Sequence, residues 1–148
     1  MRVVIGSDHA GFDLKETIKA LLDRLGVPYE DVGAKSAAPS DYPDFADAAA
    51  GAILAGRAER GILVCGTGIG MVIAANKIPG IRAALAWNEA TARLGRAHND
   101  ANILTLGGRT TPAGDVEGIL RAFLSTEYEG GRHDARLAKI AGLECRDT

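Results

Sequence analysis

Short apolar runs rich in β-branched residues alternate along this chain with stretches whose apolar residues recur at helical spacing, and that alternation restricts the fold more than any other feature. Val3-Val4-Ile5 ends at Gly6-Ser7-Asp8, after which Phe12, Ile18, Leu21, Leu22 and Leu25 mark one helical face up to Gly26. The pattern then returns. Residues Val27 to Val32 predict a second strand, Tyr42-Pro43 opens an alanine-rich helix to about Leu54, and Gly61-Ile62-Leu63-Val64-Cys65 reads as a buried third strand. A helix carrying Met71, Val72, Ala74 and Ala75 should end near Pro79-Gly80, ahead of a strand from Arg82 to Ala86 and a helix from about Asn88. A fifth strand is predicted from Asn102 to Leu106. Gly107-Gly108 then breaks the chain before a helix near Pro112, and Gly130-Gly131 precedes a last helix containing Arg132, His133 and Arg136.

Strands joined through single helices imply right-handed crossovers and a parallel sheet covered on both faces. The expected fold is therefore a three-layer α/β/α sandwich around a five-stranded, Rossmann-like sheet. A chain of 148 residues, 47% of them hydrophobic, suits one domain over residues 1–148, with roughly two-thirds of its surface buried on folding. No repeat, linker or low-complexity stretch divides it. The formal net charge of -2 supplies no field to gather nucleic acid. No signal peptide or membrane-length apolar run is seen, and two distant cysteines make no disulfide framework, so a cytoplasmic protein is expected. Arg146, Asp147 and Thr148 are expected to form a loose tail, with Cys145 an incidental thiol.

Ligands of such sheets bind beyond the carboxyl ends of the strands, which directs attention to the loops Ser7 to Gly11, Cys65 to Gly70, Asn88 onward, and Gly107 to Thr110. Gly66, Gly68 and Gly70 follow a buried strand and precede a helix, an arrangement that aims backbone N–H groups at a small oxyanion or phosphate. The same glycines could also make a plain tight turn. They fit neither the dinucleotide fingerprint, since Met71-Val72-Ile73 stands where a third glycine would fall, nor a P-loop, which needs Gly-Lys-Ser/Thr.

Cys65, directly before these glycines, is either a nucleophilic thiolate or inert core, and the sequence leaves both open. Asp8 and His9 point to opposite faces of an extended backbone, which fits acid–base work better than joint metal chelation. His98 could exchange protons near neutral pH or simply cap a helix. Arg132 and Arg136, four apart, would share a helix face and clamp a dianionic phosphate with help from Arg109, or else stay solvated or paired with Asp134 or Glu129. No metal is expected, because His9, Cys65, His98 and His133 lack close ligand spacing.

Six segments, Gly6-Ser7-Asp8-His9-Ala10-Gly11-Phe12, Asp41-Tyr42-Pro43, Cys65 to Gly70, Ala74-Ala75-Asn76-Lys77, Arg96 to Asn102 and Tyr128 to His133, together resemble ribose-5-phosphate isomerase type B over nearly the whole chain. The wider family includes allose- and galactose-6-phosphate isomerases. The resemblance implies interconversion of ribose 5-phosphate and ribulose 5-phosphate, a step of the pentose phosphate pathway, through a cis-enediolate without metal or cofactor. It also implies Cys65 as the base, assisted by Thr67, with His98 opening the furanose ring and Asp8 moving a hydroxyl proton. Gly66, Gly68, Ile69 and Gly70 would cradle the enediolate, Tyr42 and Asn99 would orient the sugar, and His9, Arg109, Arg132 and Arg136 would hold phosphate. The same resemblance implies a homodimer whose active sites draw on both subunits, with a C-terminal helix extending to the partner; dimer versus tetramer stays open. A hexose-6-phosphate isomerase and a non-catalytic sugar-phosphate sensor are the alternative readings.

Overall fold

The computed structural model describes residues 1–146, so the part of the expected tail at Asp147 and Thr148 lies outside the described residues. Its elements run β1 (Val3–Ser7), α1 (Phe12–Leu25), β2 (Tyr29–Asp31), α2 (Tyr42–Leu54), β3 (Arg60–Cys65), α3 (Ile69–Ala75), β4 (Ala83–Leu85), α4 (Glu89–Asn99), β5 (Ile103–Gly107), α5 (Val116–Ser125) and α6 (Asp134–Glu144). The five strands pair in parallel in the order β2-β1-β3-β5-β4. The α/β/α expectation is met. The predicted second and fourth strands shorten to three residues each, because these are the two edges of the sheet, each paired on one side only.

Residue alternation builds the two outer layers. Val3, Ile5, Ile62 and Val64 point to one face and pack with α1, α4 and α5, where Ile18, Leu22, Ile119 and Phe123 are buried. Val4, Leu63 and Cys65 point to the other face, against α2 and α3. Alanine makes that second layer thin: Ala46, Ala49, Ala50 and Ala52 are buried on α2, so its backbone can lie close to the sheet. A buried cation ties the β2 edge to the rest. Lys15 of α1 is 1% exposed, and its Nζ donates to Asp31 Oδ2 at 2.9 Å and to the Ala34 carbonyl. It anchors the segment that leads to Ser40, which the site uses.

The last predicted helix divides in two. Gly131–His133 forms a 3-10 turn that holds Arg132 and His133, and Arg136 lies on α6 beyond it. No residue of α6 is buried, and Ile140 and Leu143 are 43% and 54% exposed. No described helix is long and apolar enough to cross a membrane.

Candidate active site

The chain passes from β1 outward to β2 and then back across β1 to β3, so the crevice between β1 and β3 is the switch point of the sheet. A cleft of about 450 Å³ opens there. β1 delivers Asp8 and His9, β3 delivers Cys65, and the loop after β5 delivers Arg109; Tyr42, at the start of α2, closes one side. Thr67, Ile69 and Gly70 complete the floor beside Gly66.

Cys65 is the last residue of β3 and is 4% exposed. Its sulfur accepts a hydrogen bond from the Gly68 N–H at 3.2 Å. Gly68 adopts φ +78°, and a Cβ there would stand 2.6 Å from Leu85 Cδ1 and 3.0 Å from the Leu106 carbonyl carbon. Only glycine meets both demands. The Gly68 carbonyl in turn accepts from the buried Thr105 hydroxyl at 3.1 Å, which holds the turn in place.

These contacts sharpen the expected cradle. The Gly68 N–H is committed to the thiol, and the Ile69 N–H to Thr67 Oγ1 at 3.2 Å. Among the described residues nothing accepts from the Gly66 and Thr67 N–H groups, which are therefore uncommitted donors beside the thiol. Gly70 has a steric duty: a Cβ on it would lie 2.6 Å from Tyr42 Cζ, so its bareness lets the phenol ring lean over the loop.

Asp8 is buried, and its Oδ1 accepts from the Gly11 N–H at 3.0 Å, which fixes the carboxylate at the entrance of α1. The His9 N–H donates to Ser40 Oγ at 3.0 Å, and the ring Nδ1 lies 3.2 Å from both the N–H and the carbonyl of Ser40. Ser40 thus orients His9 in either of its neutral tautomers. Sequence reasoning missed Ser40, because a serine thirty-one residues away in an irregular segment carries no local signal.

His98, Asn99, Arg132 and Arg136 do not line this cleft. α4 runs opposite to the strands, and β5 begins at Ile103, four residues after its end, so His98 and Asn99 sit at the amino edge of the sheet. Cys65 sits at the carboxyl edge. A five-residue strand separates the two edges by roughly 16 Å. Arg96, 5% exposed and given no role of its own in the sequence motif that contains it, stitches this second region together. Its guanidinium donates to the Thr126 and Ala101 carbonyls and pairs with Asp100 at 2.8 Å. Its place at i+4 from the buried Ala92 was the available signal.

In the same region the His98 and His133 rings stack at 4.3 Å between centroids. Glu129 Oε2 lies 3.9 Å from His98 Nε2 and 3.6 Å from His133 Nε2. Burial, reinforced by the positive charge of Arg132, pushes the His133 imidazole below its ordinary pKa. Asn99 faces a larger groove of about 800 Å³ between the β4 edge and α6, walled partly by Ile140 and Leu143.

A parallel α/β sheet with a thiol, a carboxylate and free backbone donors gathered at its switch point defines a doubly wound enzyme that acts on a small oxygen-rich ligand. The chain belongs to the ribose/galactose isomerase family, whose family model matches residues 3–140. It is 43% identical to the ribose-5-phosphate isomerase B of Escherichia coli over 145 residues, 98% of this chain and 97% of that protein. A solved ribose-5-phosphate isomerase B from Clostridium thermocellum superposes with a TM-score of 0.95 at 46% identity, covering 97% of each chain. The Mycoplasma genitalium enzyme, solved with bound ribulose-5-phosphate, superposes with a TM-score of 0.92 at 39% identity, covering 99% of this chain and 97% of that one.

Proposed function

We propose that the chain interconverts D-ribose 5-phosphate and D-ribulose 5-phosphate, with Cys65 as the base that carries a proton between C2 and C1. The reading rests on one observation above all: a buried thiol at the end of β3 lies beside two backbone N–H groups that nothing among the described residues occupies. Membership of the ribose/galactose isomerase family and likeness to a relative solved with bound ribulose-5-phosphate support the same substrate.

In the open-chain aldose, Cys65 takes the C2 proton and the electron pair forms the C1–C2 double bond, so negative charge gathers on O1. The Gly66 and Thr67 N–H groups stabilise that charge, and one such donor is worth about 3 kcal/mol in the transition state. Asp8 carries the O2 proton to O1 as the C2 carbonyl forms, and Cys65 returns its proton to C1. His9 and Arg109 take the phosphate from this chain, and Tyr42 orients the sugar. Binding energy from the remote phosphate holds C1 and C2 against the base.

The remaining residues enter from a second copy. His98 opens the furanose ring, Asn99 orients the sugar, and Arg132 with Arg136 completes the phosphate clamp of the partner's cleft. Separation of the two sets to opposite edges of one sheet supports this division, as does an α6 that buries none of its own residues. The homodimer is the active unit, working in the cytoplasm.

Cys65→Ala is expected to bind sugar phosphate with affinity close to that of the wild type while losing isomerisation and the exchange of substrate hydrogen with deuterated solvent. Turnover within tenfold of the wild type would remove Cys65 from the mechanism.

A further inference from the structure

We propose that His133 is a positioning residue for the ring-opening step: its buried imidazole is the platform on which the His98 ring is stacked and aimed toward the partner's cleft. This role rests on the ring opening assigned above to His98. The other acid–base side chains of the site are fixed by hydrogen bonds, Asp8 by the Gly11 N–H and the His9 ring by Ser40. His98 is held differently. Among the described residues no hydrogen bond reaches its imidazole, and the Glu129 Oε2 that faces Nε2 stands 3.9 Å away, too far to make one. What the ring has is a face: His133 lies against it with 4.3 Å between centroids and 20° between planes. Turning the His98 ring about its Cβ–Cγ bond would break that contact, so the stack sets the plane in which both of its nitrogens lie.

The platform is anchored to α4 on either side of the stack. The Glu129 N–H donates to the Ala97 carbonyl at 3.0 Å, and Arg96 Nε donates to the Thr126 carbonyl at 3.2 Å. The Tyr128 hydroxyl donates to Asp134 Oδ1 at 2.6 Å and closes the turn around the positive φ of Gly130 and Gly131. The His133 side chain is 7% exposed and that of His98 34%, so a held ring lies beneath one that a ligand can reach. His133 Nε2 is buried without a hydrogen-bond partner, which keeps that nitrogen away from substrate and leaves contact surface as what the ring offers. Burial lowers the His133 pKa, with Arg132, His98 and Arg136 adding to the effect and Glu129 opposing it. The platform therefore stays neutral and sets no second positive charge under His98 when His98 carries a proton. Opening the furanose breaks the C1–O4 bond: an imidazolium at His98 gives its proton to O4, the O1–H electron pair forms the C1 carbonyl, and the O1 proton returns through water to the imidazole. The direction of the donor decides this step, since a general acid must stand within hydrogen-bond reach of the atom it serves.

Ribulose 5-phosphate carries its phosphate on the C5 oxygen and cannot close to a furanose, which separates ring opening from proton transfer at carbon. In the intact protein, His133→Leu keeps bulk without a flat ring. It should lower kcat for ribose 5-phosphate by about tenfold or more, part of the roughly 100–10,000-fold that a placed proton donor supplies. Exchange of the C1 hydrogen of saturating ribulose 5-phosphate with deuterated solvent should fall by no more than about twofold, because Cys65 acts there on an open chain. His133→Phe returns a flat ring and should recover most of the aldose turnover. His98→Asn, assayed beside them, should show the same split between the two measurements. Equal losses in both assays of His133→Leu mark a merely structural role and overturn the proposal, as does wild-type aldose turnover in that variant. These two assays decide the matter even where His133→Phe folds poorly; a well-folded His133→Phe as slow as His133→Leu also overturns it. Wild-type aldose turnover in His98→Asn removes the ring-opening role of His98 itself, whereas a split in His98→Asn without one in His133→Leu removes the platform alone.

Discussion

At the scale of single residues, the site depends on side chains and backbone groups whose partners are fixed before substrate arrives. Asp8 is held by the Gly11 N–H, His9 by Ser40, and the Cys65 sulfur by the Gly68 N–H. The segment that bears Ser40 depends on a buried ion pair farther away. Asp31 lies half-buried against Lys15 and Lys19; burial works to raise its pKa, and hydrogen bonds from the two lysines outweigh it and hold the carboxylate below its usual range. A depressed carboxylate contributes stability that is present above its unfolded pKa and is lost as pH falls through the folded value. Urea denaturation of the wild type should therefore show a loss attributable to Asp31 as pH falls below about 4. Asp31→Asn removes that sensitivity, and it should cost about 3 kcal/mol at pH 7 by leaving Lys15 buried without its carboxylate. Parallel pH profiles for the two proteins would contradict this.

At the scale of elements, the turn from β3 into α3 does two things with two of its glycines. Gly68 supplies a backbone conformation and a bare surface against Leu85 and Leu106, and Gly70 makes room for Tyr42. Gly68→Ala should lower stability by about 1–3 kcal/mol, the usual cost of a residue held in a sparsely populated backbone region. It should also reduce kcat more than it raises KM, because the N–H that holds the Cys65 sulfur moves with the turn. Normal kinetics and an unchanged urea midpoint would show that the turn tolerates a side chain. The strand–helix alternation, the buried third strand and the glycine turn were legible from local pattern. The edge strands were drawn too long because a short run between two helices signals a strand but not how many neighbours it will have. Likewise Arg132 and His133 fit helical spacing and instead occupy a 3-10 turn, since Gly130 and Gly131 both take positive φ immediately before them.

At the scale of the whole molecule, the residues assigned above to one proposed reaction are divided between two edges of the sheet. The family's motifs named both groups, but sequence order carries no sign of which edge each would reach; that depends on α4 running against the strands. Mixing Cys65→Ala and His98→Asn proteins after joint unfolding and refolding checks the division. Random pairing makes half the dimers hybrid, each with one intact site, so about a quarter of wild-type activity should return from two inactive parents. Sites complete within one chain would return none.

The bare α6 then has a physiological consequence. On the proposed division of the site between two copies, α6, which buries nothing in its own chain, is left for the partner, and catalysis would wait for an encounter between two copies. Below the dimer dissociation constant, output per cell volume would rise with the square of protomer concentration, so a twofold change in synthesis would alter flux about fourfold. Gene dosage would then act as a throttle on this step of sugar metabolism.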